Sequence, residues 1–157
     1  MPKAYILVGV PGSGKSTWIS TAPVDWSNTV VASTDNYVER EAKKQGKTYT
    51  EVFKDVMPDA VNYMAKTVID AVKNKQDIIW DQTSTTKHTR AKKIRMLPND
   101  YEIIAVVFDT PDEEELERRL GSRSGKIIPD EVIKSMISKW EEPTKDEGFD
   151  KILYVHQ

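Results

Sequence analysis

Residues 9–16 read Gly9-Val10-Pro11-Gly12-Ser13-Gly14-Lys15-Ser16, a complete G-x-x-x-x-G-K-[ST] spacing. Glycines let a backbone wrap an anion, so that the N–H groups of residues 12–17 and the positive end of a following helix face phosphate oxygens. Lys15 adds a mobile positive charge for β- and γ-phosphates, and the Ser16 hydroxyl can join a Mg²⁺ shell. Gly12, Ser13, Gly14, Lys15, Ser16 and Thr17 are the expected contacts of a nucleoside triphosphate.

Two carboxylates follow apolar runs. Asp35 ends Thr29-Val30-Val31-Ala32-Ser33-Thr34, and Asp81 ends Asp77-Ile78-Ile79-Trp80. Ligands of open α/β sheets collect at the carboxyl ends of strands, where both aspartates and the glycine loop are expected. Asp81 reads as the residue that touches Mg²⁺, directly or through water, which leaves Asp35 to accept a proton from an attacking hydroxyl. The competing role of each is to cap the next helix. Arg118, Arg119 and Arg123 flank Gly121-Ser122. Arg118 suits a helix C-terminus, whereas Arg123 lies beyond the glycine stop and could close over a triphosphate. Lys87, His88, Arg90, Lys92, Lys93 and Arg95 form the most basic stretch, read chiefly as a solvated helix face, with Arg90 the best candidate to face a cleft. Two separated histidines, His88 and His156, do not make a metal site.

The elements that must position these groups alternate between strand and helix patterns, the signature of a parallel sheet with crossover helices. Strands are expected at 4–8, 29–34, 77–81, 101–109 and 151–155. Thr50 offers an N-cap for a short helix through Val56, and Pro58 opens a new one that buries Val61, Met64, Ala65, Val68, Ile69 and Val72. Thr110-Pro111-Asp112-Glu113 reads as a cap, a proline at N1 and acids in the first turn. Pro129 begins a last helix with Val132, Ile133, Met136, Ile137 and Trp140 inward.

The 157 residues fit a single domain, 1–157, with a lid at about 119–128. No apolar run approaches a membrane span, and the start lacks a signal-peptide layout. The absence of cysteine excludes disulfides and fits a reducing, cytoplasmic setting. A net charge of −2 argues against a uniformly basic nucleic-acid binder while leaving room for a local basic groove.

Taken together, these segments resemble the kinase domain of polynucleotide 5′-hydroxyl kinases, within the P-loop kinase group. The glycine loop through Trp18 is similar, as are Asp81-Gln82-Thr83-Ser84 to an Asp-x-Thr-Asn motif and Trp140-Glu141-Glu142-Pro143-Thr144 with Glu147-Gly148-Phe149-Asp150 to the tail of that domain. The resemblance implies an α/β P-loop kinase fold, a five-stranded parallel sheet flanked by helices, with a short lid. It also implies ATP and Mg²⁺, Asp35 as general base, Arg119 and Arg123 as lid residues on ATP phosphates, and an acceptor side using Asp35, Asp81, Thr83 and Arg90. Two departures touch the acceptor side. Val38 stands where the family often has an arginine that meets the substrate's phosphate, with Arg40 as a substitute, and Ser84 replaces the asparagine. The expected reaction is transfer of the γ-phosphoryl group to a 5′-hydroxyl of DNA or RNA. The alternatives are a nucleoside, nucleotide or hydroxylated DNA base as acceptor, and a non-catalytic nucleotide-binding module. Without the phosphatase or ligase domains that often accompany such kinases, the domain would act alone or with separate partners.

Overall fold

The computed structural model describes residues 1–123 and 125–156. Strands β1 (Lys3–Val8), β2 (Thr29–Ala32), β3 (Asp77–Trp80), β4 (Glu102–Phe108) and β5 (Lys151–Val155) pair in parallel in the order β2-β3-β1-β4-β5. Alternation along β1 sends Ala4, Ile6 and Val8 to one face, with Met64 and Val68, and Tyr5 and Leu7 to the other, with Ile104 and Phe108. Both faces are covered, which is why the central strands carry unbroken apolar runs. The chain crosses from β1 to β2 on one side and from β3 to β4 on the other. That reversal opens a crevice at the carboxyl end of β1, where the glycine loop lies.

The helices are α1 (Lys15–Ser20), α2 (Thr34–Gln45), α3 (Tyr49–Lys73), α4 (Lys87–Arg95), α5 (Glu113–Gly121) and α6 (Asp130–Ser138). The expected break at Pro58 does not occur. Thr48, not Thr50, caps α3 by accepting from Glu51 N at 3.2 Å, while Glu51 Oε1 accepts from Thr48 N at 2.8 Å. Pro58 sits inside the helix on its exposed side, where water can satisfy the carbonyl that loses its donor. An interior proline costs about 3 kcal/mol. Burial of Val52, Val56, Met64 and Val68, at about 1.5–3 kcal/mol each, outweighs it. The buried stripe therefore continues through both halves as Val52, Val56, Ala60, Met64, Val68 and Ala71, and it leaves Val61 and Ile69 exposed, against expectation.

Two further details differ, one of capping and one of burial. Asp112, rather than Thr110, caps α5 by accepting from Glu115 N at 2.9 Å, so Pro111 precedes the cap. In α6 only Ile133 is buried; Val132 and Ile137 are exposed, and Trp140, expected on its inward face, lies past its end at Ser138, partly buried against the core. The lid expected at about 119–128 includes Ser124, which lies outside the described residues. Among the described residues, no helix is long and apolar enough to cross a membrane.

Candidate active site

Gly12 (φ +82°) and Gly14 (φ +103°) adopt the left-handed conformation that lets the loop curl at the end of β1. A Cβ at Gly12 would come within 3.1 Å of Leu116 Cδ1 and 3.2 Å of Leu120 Cδ2, so α5 packs against the bare backbone. The loop opens onto a cleft of about 1790 Å³ lined by Gly12, Gly14, Lys15, Ser16 and Thr17. Pockets for single small ligands measure about 300–1,000 Å³, so this cleft is larger than one such ligand needs.

Lys15 Nζ donates to the loop's own carbonyls, Gly9 O at 2.8 Å and Val10 O at 3.0 Å. Burial pulls its amine down to about 8; Asp81 and Asp35 oppose that shift, while Arg123 and Lys126 reinforce it. Lys15, Asp81, Asp35, Arg123 and Lys126 therefore share one electrostatic environment.

Asp35 and Asp81 both line the cleft, and neither caps a helix. Ser33 caps α2, accepting from Asn36 N at 3.2 Å, which places Asp35 in the first helical turn just past β2. Thr86 caps α4, accepting from Thr89 N at 3.3 Å. Asp35 is held at both carboxylate oxygens. Tyr49 OH donates to Oδ1 at 2.6 Å, and Lys126 Nζ donates to Oδ2 at 2.9 Å while lying 4.6 Å from the Tyr49 ring centroid. Burial would raise the Asp35 carboxyl, but those two hydrogen bonds and the charges of Lys126 and Lys15 carry it below the ordinary aspartate value. At Asp81 burial wins over the pull of Lys15 and, with the negative charge of Asp35, raises the carboxyl.

The described residues contain no cluster of three or more His, Cys, Asp or Glu that would hold a metal by itself. Mg²⁺ does not require one: it commonly takes one or two carboxylates, with water and substrate phosphates completing its shell. Ser16 and Asp81, both on the cleft, supply oxygens of the right hardness for that mode.

The arginines divide. Arg119 Nη1 donates to Gly12 O at 3.0 Å, and its Nε donates to Glu115 Oε1 at 2.8 Å, which ties α5 to the glycine loop. Arg123 lines the cleft. Arg118 pairs with Glu115, at 2.6 Å from Nη2 to Oε1. Arg90 does not reach the cleft. Fully buried, it donates from Nε and Nη2 to Glu147 at 2.8 and 3.1 Å, and from Nη1 to Ser84 O at 3.0 Å. Arg40 stands outside as well, with its guanidinium 5.0 Å from the Tyr63 ring and 5.7 Å from Tyr37. Val38 is fully buried in the α2–α3 seam. Thr83 lines the cleft, and its carbonyl accepts from Gly9 N at 2.9 Å. Sequence reasoning missed Tyr49 and Lys126. Lys126 falls in the expected lid, so its charge was a usable signal; nothing local marks Tyr49.

The model of the AAA domain family matches residues 5–143, and the chain belongs to that family as a P-loop kinase domain. It is 26% identical over 163 residues to heterogeneous nuclear ribonucleoprotein U-like protein 2 of Mus musculus, a match covering 97% of this chain and 21% of that protein. It is 27% identical over 143 residues to L-seryl-tRNA(Sec) kinase of Methanococcus maripaludis, covering 88% of this chain and 52% of the kinase. Among solved structures, a chain of the Pnkp1/Rnl/Hen1 RNA repair complex superposes with a TM-score of 0.67 at 28% identity, over 88% of this chain and 43% of that one. The chain thus spans about half or less of each of these relatives.

Proposed function

We propose that this P-loop kinase domain moves the γ-phosphoryl group of ATP, with Mg²⁺, to the 5′-hydroxyl of DNA or RNA. The observation that carries the reading is the ionised Asp35 carboxylate on the same cleft as the glycine loop. Likeness to an RNA repair complex chain and to a tRNA kinase supports a nucleic-acid acceptor.

The chain's own groups have separable tasks. Main-chain N–H groups of residues 12–17 and Lys15 hold the phosphates, and Arg119 and Arg123 approach from α5 and the segment after it. The acceptor oxygen attacks the γ-phosphorus, its proton passes to Asp35, and the bond from the γ-phosphorus to the bridging oxygen breaks, releasing ADP. Bound Mg²⁺, held by Ser16 and Asp81, would supply charge neutralisation on the phosphates. Because Asp35 titrates low, its carboxylate is ready for the proton at neutral pH.

Burial of Val38 favours a second reading, a smaller acceptor with no phosphate beside the reacting hydroxyl. Labelled ATP offered with 5′-hydroxyl oligodeoxynucleotides, oligoribonucleotides, nucleosides and nucleotides separates the two. Label on oligonucleotides supports the first, label on monomers alone supports the second, and ATP binding without transfer to any acceptor refutes both.

A further inference from the structure

One buried cation of the cleft is left unused by this mechanism. Lys93, on α4, lines the cleft although it is only 8% exposed. Among the described residues no carboxylate pairs with its ammonium. Its neighbours are the Trp80 ring, whose centroid lies 5.8 Å from Nζ, and the cations Lys92 and Arg90. The charge of Arg90 is already matched by Glu147. Burial first, then those two cations, lower the Lys93 amine to about 8. A buried charge without a counter-charge is unfavourable, and methionine would fill the same length without the desolvation cost.

A second orphan lines the same cleft. Ser84 is 3% exposed and lines the cleft, and its Oγ has no hydrogen-bond partner among the described residues. Its backbone is left-handed at φ +46°, an unfavourable state for serine that the surrounding loop enforces. An unmatched ammonium and an unmatched hydroxyl on two residues that line one cleft suit an oxyanion. The triphosphate has its own donors on the glycine loop, α1 and α5, whereas Lys93 and Ser84 belong to α4 and the connection from β3, beyond Asp81. The position expected to meet an acceptor phosphate, Val38, is buried, and Arg40 is held on tyrosines outside.

We propose that Lys93 and Ser84 form an anion subsite that receives an internucleotide phosphodiester of the acceptor. This rests on the polynucleotide reading above. The test first reads binding without turnover. With the glycine loop saturated by a non-hydrolysable ATP analogue, acylation of the Lys93 amine is followed by peptide mass spectrometry. The probes are a 5′-hydroxyl trinucleotide, its neutral methylphosphonate counterpart and inorganic phosphate. The charged trinucleotide and inorganic phosphate are expected to slow labelling and the neutral one to leave it unchanged. Equal labelling under all conditions overturns the subsite. Protection by inorganic phosphate with none by the trinucleotide overturns the polynucleotide acceptor and leaves the anion site standing.

In turnover, Lys93→Met is expected to raise the acceptor KM about 10–100-fold, the worth of one charge-assisted hydrogen bond. The KM for ATP should hold, as should kcat. On the methylphosphonate acceptor, wild type and variant should coincide; equal losses on charged and neutral acceptors overturn the proposal. The melting midpoint should rise by about 2–4 °C as the buried charge disappears, which also shows that the variant folds. Ser84→Ala should give a smaller KM effect of the same charge selectivity.

Discussion

Replacing Asp35 by asparagine removes a proton acceptor while keeping nearly the same shape. Loss of a general base lowers the rate by about 10²–10⁴-fold. That corresponds to about 2.7–5.4 kcal/mol at 1.36 kcal/mol per decade. The amide oxygen of Asp35→Asn can still accept from Tyr49 OH, now 2.6 Å from Oδ1, but the amide nitrogen cannot accept from Lys126. The lost ion pair is modest: the Asp35 side chain is 46% exposed, so the pair belongs with solvent-screened bridges worth about 0–1 kcal/mol. At about 2–4 °C per kcal/mol, the melting midpoint should fall by no more than a few degrees. Instability therefore cannot account for a loss of several decades in rate. Lys126→Met is the matched control, because it breaks the same pair and retains the carboxylate; its transfer rate should stay within about tenfold of wild type. Single-turnover transfer of labelled phosphate, with ATP affinity measured separately by fluorescence displacement, reads both variants. Asp35→Asn within tenfold of wild type, or with ATP binding abolished, would refute the assignment of Asp35 as the proton acceptor.

Lys15 titrates near 8 in the free protein, so its charge is present below that pH and is lost as pH rises through it. The kcat/KM for ATP, which reports the free enzyme, should fall above about pH 8, and Lys15→Arg should move that limb upward; a flat profile to pH 9.5 would contradict it. Arg90→Met should leave Glu147, now 10% exposed, without its cation and cost about 3–5 kcal/mol, lowering the melting midpoint by roughly 10 °C. If the variant instead melts like wild type and loses acceptor affinity, Arg90 is a substrate contact after all.

The triphosphate side of this site is legible in the sequence because it is local. Eight consecutive residues specify the loop, and an apolar run before them fixes where it sits. Asp35 and Asp81 were legible for a related reason, since strand ends in a parallel sheet converge. What surrounds Asp35 was not. Tyr49 reaches it because α3 begins at Thr48 and packs along α2, a contact between residues 14 apart that no periodicity reports. The misreading of Pro58 as a helix start concealed that α3 is one helix, capped two residues earlier than expected. Arg90 shows the opposite failure. Its basic neighbourhood suggested a solvated face or a cleft contact, yet its counter-charge lies 57 residues away at Glu147, and only the fold brings the two together.

One stretch of chain touches both reactant sides. At its near end Arg119 bonds Gly12 O, and at its far end Lys126 bonds Asp35. Gly125 O accepts from Thr50 N at 3.2 Å, and Ile127 N donates to Thr50 Oγ1 at 3.0 Å, so the far end is seated on the turn of α3 that supplies Tyr49. Gly125 makes that seat possible: at φ +72° its missing Cβ would stand 3.0 Å from Thr48 Cβ and Cγ2. Each Asp35 oxygen accepts one of these bonds and keeps a second lone pair, so an acceptor hydroxyl meets a carboxylate already oriented by two donors. The Tyr49 phenol, raised by burial and by Asp35 itself, keeps its proton and remains a donor. The Lys126 ammonium sits on a flexible stem and has Glu39 4.0 Å away as an alternative partner, so it is the more mobile of the two donors. On the proposed mechanism the base is thus oriented, before an acceptor arrives, by a phenol and by a cation seven residues beyond Arg119 in the sequence. That cation helps to hold the carboxylate ionised and oriented, while the exposed part of the Asp35 side chain stays open to the second substrate.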